Sequence, residues 1–118
     1  MFRFEKLDVW QRAVDHAGYV YTVTRSFPRD ERFGLTNQMR RAAVSVSSNI
    51  AEGSGRASDI DFARFLEFSY SSLMEVVSEA TIATRQMFLP QQSFDTIYRE
   101  SEELARMLSG LRATLLHG

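Results

Sequence analysis

The chain has 118 residues, 44% of them hydrophobic, and its 14 Lys and Arg against 15 Asp and Glu leave a formal net charge of −1. That size and apolar content suit one domain that buries roughly two thirds of its unfolded surface, and the near-neutral charge excludes a uniformly basic nucleic-acid coat. The absence of cysteine excludes a disulfide framework, a thiolate nucleophile and a Cys-based zinc or iron–sulfur site, and it suits a cytoplasmic location.

Met1 leads into Phe2, Arg3, Phe4, Glu5 and Lys6 without the apolar run of a signal peptide or membrane span, so a soluble chain with no membrane partner is expected. Leu7, Trp10, Val14, Ala17, Tyr21, Thr24 and Phe27 recur at three- and four-residue steps and predict a first helix over about 8–26, stopped by Pro28. After the charged turn Asp30-Glu31-Arg32, Thr36 is the expected N-cap of a second helix over about 36–53, closed by Gly53-Ser54-Gly55. Its helical wheel gathers Leu35, Met39, Ala42, Val46, Ile50 and Gly53 into a core-facing sector. Gln38, Arg41, Ser45, Ser48, Asn49, Glu52 and Arg56 form a second stripe, made mainly of short polar side chains, against which close packing is expected.

Ser58 with Asp61 approximates a capping box, and Asp59 adds negative charge at the positive end of the next helix dipole. That third helix is expected over about 59–88, through Phe62, Phe65, Leu66, Ser69, Leu73, Val76, Ala80, Ala83 and Met87, a length of about 45 Å. Phe68, Tyr70, Met74 and Val77 flank its core stripe, as Val44 and Ala51 do on the second helix, which points to a further interface and a homo-oligomer. Ser93 is the expected cap of a last helix over about 93–116, with Phe94, Ile97, Leu104, Leu108, Leu111 and Leu115 in step. No segment alternates with period two. The predicted class is all-α, an up-and-down antiparallel four-helix bundle with short loops.

Charge is uneven along the chain: residues 1–57 carry nine Lys or Arg against six Asp or Glu, giving +3, and residues 58–118 carry five against nine, giving −4. All the cations except Lys6 are arginine, the residue that contacts phosphate or carboxylate in bidentate fashion. Arg12, Arg40, Arg41 and Arg56 are the candidate nucleic-acid contacts, to be multiplied by the symmetry of an oligomer. Against this stands a structural role in which Arg41 and Arg56 pair with Glu52 or with a neighbouring subunit, while Ser45 and Asn49 hydrogen-bond across helices.

Signatures of catalysis are missing. His16 and His117 are the only histidines, and neither follows a Glu by three residues, so the Glu-x-x-His element of di-iron bundles is absent. Glu75 with Glu79 and Glu100 with Glu103 are carboxylate pairs of the kind found on solvated helix faces, and Gly53-Ser54-Gly55 lacks the Lys-Ser/Thr of a phosphate loop. No enzyme activity, metal or cofactor is expected.

The runs Leu7-Asp8-Val9-Trp10-Gln11, Phe27-Pro28, Phe33-Gly34-Leu35-Thr36, Gln38, Arg40-Arg41-Ala42-Ala43 and Ser48-Asn49-Ile50-Ala51-Glu52-Gly53 resemble the family of 23S ribosomal RNA intervening-sequence proteins. Asp61-Phe62, Phe65-Leu66 and Leu73-x-Glu75 extend the likeness, which covers about residues 5–85. Ser71-Ser72-Leu73 departs from it, since family members often place a glycine before the serine. The resemblance implies a four-helix bundle assembled as a homopentameric ring. It also implies relatives that include the accessory variability determinant of diversity-generating retroelements, which associate with nucleic acid and a reverse transcriptase through a basic surface.

Two functions are therefore expected as alternatives. One is a non-enzymatic oligomeric bundle that associates with RNA or DNA through arginines of its first and second helices. The other is a scaffold that presents its third and fourth helices to a protein partner. Gln38, Ser45, Asn49, Glu52, Phe68, Tyr70 and Met74 are the candidate oligomer contacts in either case.

Overall fold

The computed structural model describes all 118 residues. Four helices carry the chain: α1 (Asp8–Thr24), α2 (Leu35–Ser54), α3 (Asp59–Arg85) and α4 (Gln91–His117). Single 3-10 turns lie at Arg3–Lys6 and Arg29–Glu31, and no strand forms. Each helix packs on its neighbours in the chain and α4 closes back on α1, so that α1 lies diagonal to α3 and α2 to α4. Partners run in opposite senses along each pair. Val46 meets Ser69 and Ser45 meets Ser72 between α2 and α3, while Arg12 meets Glu103 and His16 meets Ser101 between α1 and α4. The result is an antiparallel up-and-down bundle measuring 44 × 22 × 21 Å. No helix is long and apolar enough to cross a membrane.

The helical period places the core of α2 and α3 directly: Leu35, Met39, Ala42, Val46, Ile50 and Gly53 are all buried, as are Phe62, Phe65, Leu66, Ser69, Leu73, Val76, Ala80 and Ala83. On α1 the buried face is rotated from the expected one. Val9, Ala13, His16, Ala17, Val20 and Thr24 point inward, whereas Val14 and Tyr21 are 40% exposed. Two periodic stripes compete on this helix, and the one with smaller side chains wins because close-packed helices fill their centre by volume, not by hydrophobicity alone.

The aliphatic core divides in two. One cluster, with Val20, Phe27, Met39, Val76, Leu89 and Ile97, occupies the end carrying the α1–α2 and α3–α4 connections. The other, with Val9, Val46, Ile50, Phe62, Leu73 and Leu108, fills the opposite end. Between them lies a belt of buried polar groups, in which the Ser69 hydroxyl donates to the Val46 carbonyl at 2.7 Å, Ser72 to Ser45 Oγ at 2.9 Å, and His16 Nε2 lies 3.2 Å from Ser101 Oγ.

Helix ends differ from the sequence reading where another group takes the capping role. Thr36 lies inside the first turn of α2, because Gly34 is the N-cap and the Glu31 carboxylate accepts the Leu35 amide at 3.1 Å. Ser93 lies within α4, which begins after Pro90 with the Phe94 amide bonding the Pro90 carbonyl at 3.0 Å. At α3, Ser58 Oγ accepts the Asp61 amide at 3.1 Å, while the Asp61 carboxylate turns to Arg56 and Arg64 and leaves the reciprocal half of the capping box unmade.

Gly53 lies within α2, and the helix closes two residues later at Gly55. A Cβ at position 53 would stand 2.6 Å from Phe65 Cβ and 2.9 Å from Phe62 Cδ1, so the missing methyl is what lets α2 and α3 approach.

The third helix stops at Arg85, short of the expected 88, and its 27 residues span about 40 Å. The Phe88 amide bonds the Ala83 carbonyl at 2.9 Å and Met87 bonds Thr84 at 3.0 Å, a left-handed cap with Met87 at φ 65° and 90% exposed. Met87 therefore belongs to the turn and not to the core stripe. Since a side chain in this region costs about 1–2 kcal/mol and a glycine returns part of that gain as unfolded-chain entropy, Met87→Gly is expected to stabilise the protein by about 0.5–1 kcal/mol in urea titration.

Candidate nucleic-acid interface

The four arginines singled out by sequence do not form one surface. Arg12 is paired with Glu103 across the α1–α4 seam, and Arg56 is paired with Asp61 at 2.8 Å with its guanidinium over the Phe65 ring. Asp61 also receives Arg64, and these two guanidiniums, Arg56 first, hold its carboxyl below the ordinary carboxylate range. Arg40 folds back on α1. Its Nε donates to Thr24 Oγ1 at 2.9 Å, its Nη2 reaches the Tyr21 carbonyl at 3.5 Å, and its guanidinium lies over the Tyr21 ring. Only Arg41 of the four is both exposed and without an ion pair.

A different set gathers where α1 ends and α2 begins. Arg25, Arg29, Arg32 and Arg40 line one groove of about 360 Å³ together with Thr24, Phe27, Pro28 and Thr36. None of these arginines makes an ion pair, although Asp30 and Glu31 lie in the same turn. Thr36 is 6% exposed, and its buried hydroxyl has no hydrogen-bond partner. Arg41 stands on the adjoining face with Tyr21, Asn37, Arg40, Val44 and Ser48. Thus one end of the bundle presents Arg25, Arg29, Arg32, Arg40 and Arg41 on a continuous stretch of surface. Sequence reasoning missed three of them because they fall in a connection with no periodic pattern, and because their freedom from carboxylates is a tertiary fact.

The polar stripe of α2 is divided between the bundle and solvent. Ser45 and Asn49 are half-buried; Asn49 donates to the Ser45 carbonyl at 2.9 Å and to its Oγ at 3.0 Å, and Ser45 in turn meets Ser72 of α3. Gln38 and Glu52 are exposed, and neither Arg41 nor Arg56 pairs with Glu52. Burial, aided by the charge of Glu75, pushes the Glu79 carboxyl above its ordinary value beside this stripe. Phe68, Tyr70 and Met74 remain 44%, 39% and 42% exposed on α3. Tyr70 borders a groove of about 280 Å³ between α3 and α4 that is floored by Leu66 and Leu108 and edged by Glu67 and Arg112.

On the far seam, His16 is 1% exposed, and burial lowers its pKa to about 4. Arg12, Asp15, Glu100 and Glu103 surround it in a cleft of about 140 Å³, where burial raises the Glu100 carboxyl. No group of three or more His, Asp or Glu side chains is placed to hold a metal ion.

A family model described as 23S rRNA-intervening sequence protein matches residues 5–110. Comparison with curated protein sequences finds no match. Among solved structures, a protein of unknown function from the S23 ribosomal protein family of Bacteroides thetaiotaomicron superposes with a TM-score of 0.78. The two are 19% identical, and the alignment covers 87% of this chain and 96% of the other, a likeness of fold.

Proposed function

Because this chain belongs to the 23S rRNA-intervening sequence protein family, we propose that it acts without catalysis, as a homo-oligomeric bundle that associates with RNA or DNA through the arginine-bearing end of α1 and α2. One observation carries this reading: Arg25, Arg29, Arg32 and Arg41 make no ion pair on that end, whereas Arg12 and Arg56 are neutralised elsewhere. Free guanidiniums release counterions from a phosphate backbone; paired ones must first lose a carboxylate. Self-association, as the homopentamer that the family resemblance implies, multiplies a small basic patch into a band of charge. Phe68, Tyr70 and Met74 of α3, with the Gln38–Glu52 stripe of α2, are the surfaces it would cover.

Sedimentation velocity of the protein, alone and with a labelled structured RNA across a salt series, tests both halves. We expect an assembly larger than a monomer and binding that falls steeply with salt. Arg32→Gln with Arg41→Gln should weaken binding by about tenfold and lower the salt slope by about 1–2, while Arg12→Gln with Arg56→Gln leaves both nearly unchanged. Equal loss in the two double variants would sink the assignment of the surface. Salt-insensitive binding of a protein in place of RNA would favour the second reading, a scaffold using the apolar groove beside Tyr70.

A further inference from the structure

We propose that the groove at the junction of α1 and α2 binds the terminal phosphate monoester of a nucleic-acid strand, an inference that rests on the nucleic-acid reading above and narrows it. Binding along a strand requires only scattered cations beside its phosphates. This groove offers something more concentrated.

Four guanidiniums, from Arg25, Arg29, Arg32 and Arg40, border a single concavity whose volume of about 360 Å³ is at the small end of ligand pockets. Arg40 is already oriented: Thr24 Oγ1 and the Tyr21 carbonyl hold it by two of its N–H groups, and the rest remain free. The two carboxylates of the turn only partly offset this charge. Asp30 is exposed, and Glu31 is engaged as acceptor for the Leu35 amide. The helix's own bonds begin with Gln38 to Gly34 at 3.0 Å, so the Thr36 and Asn37 amides are first-turn donors without an intrahelical acceptor.

The Thr36 hydroxyl adds to the arginines. Thr36 lines the groove and is 6% exposed, yet its Oγ1 has neither donor nor acceptor within the chain. A buried hydroxyl in that state carries a desolvation cost, which a phosphate oxygen relieves once the threonine side chain turns its hydroxyl out into the groove. A monoester brings about −1.5 to −2 charge and three acceptor oxygens at one point, whereas an internal diester carries a single charge and passes it on along the strand. Clustered arginines, a helix start and an unpaired hydroxyl match the former.

The test is fluorescence anisotropy with three internally labelled single-stranded RNAs of one sequence, bearing a phosphate at the 5′ end, at the 3′ end or at neither. Near physiological salt, one phosphorylated strand should bind about tenfold more tightly than the unphosphorylated one, as expected for added charge-assisted hydrogen bonds. Thr36→Val and, separately, Arg29→Gln with Arg32→Gln should erase that difference. Equal binding of all three strands would overturn the inference and leave the backbone reading standing, and no binding of any strand would overturn both. A preference that persists in both variants would place the end-binding site elsewhere and overturn the groove assignment.

Discussion

Lowering the pH from 6.5 to 4 should remove about 3 kcal/mol of folding stability through His16 alone. The imidazole titrates near 6.5 in the unfolded chain and at about 4 when buried, so between those values the unfolded state binds the extra proton. Stability therefore rises with pH across this window. It is complete above 6.5 and lost as pH falls to 4. Only the Ser101 hydroxyl meets the ring, and Nδ1 has no partner, so the protonated form would leave an N–H unsatisfied in the interior. The surrounding Arg12, Asp15, Glu100 and Glu103 matter to the shape of the curve. Glu100 and Glu79 have folded pKa values above their ordinary ones, so each favours the folded state at acid pH and gives an opposing slope. Urea titrations of wild type and His16→Leu from pH 4 to 7.5 separate these contributions. The variant should lose the His16 component while keeping that of the carboxyls, and identical pH profiles would refute the assignment.

Gly53→Ala should destabilise the protein by about 2 kcal/mol, although the same change in an exposed helix interior stabilises by about 1 kcal/mol. The added methyl would sit 2.6 Å from Phe65 Cβ, an atom that cannot move without its backbone, and 2.9 Å from the Phe62 ring. Since α2 and α3 are joined through only the short segment after Gly55, the clash cannot be absorbed locally and must widen the helix pair. A stabilising result would show that the two helices do not approach as closely as described. Loss of stability with an unchanged urea m-value would confirm a packing effect confined to the native state.

The bundle was legible wherever one periodic stripe dominated. On α2 and α3 one apolar sector dominates, and every residue assigned to it is buried except Met87, which lies past the end of α3 in the turn. On α1, Trp10, Val14 and Tyr21 compete with Val9, Ala13 and Val20, and only the volume between helices decides in favour of the latter. Caps were legible when the N-cap residue's own side chain acts, as Ser58 does for Asp61, and illegible when the N-cap is a glycine and a carboxylate from the preceding turn takes the role, as Glu31 does for Leu35. The candidate interface was the least visible part. An arginine's usefulness depends on whether a carboxylate already holds it, and Glu103 lies 91 residues from Arg12. Arg25, Arg29 and Arg32 become conspicuous only once the turn brings them to one groove with Arg40.

The polar belt between the two aliphatic clusters bears on how many ways four such helices can be assembled. Leu, Val, Ala and Ile repeat along each seam, and grease alone is nearly indifferent to a slide of one helical turn, about 5.4 Å. The Ser69–Val46 and His16–Ser101 contacts are not indifferent. Shifted by a turn, His16 would face aliphatic side chains with both nitrogens bare, a loss of about 1–3 kcal/mol that the native register avoids. The belt thus works as a vernier: it contributes little holding force and still selects one longitudinal setting of the helices, which fixes where the arginines of the α1–α2 turn stand in space.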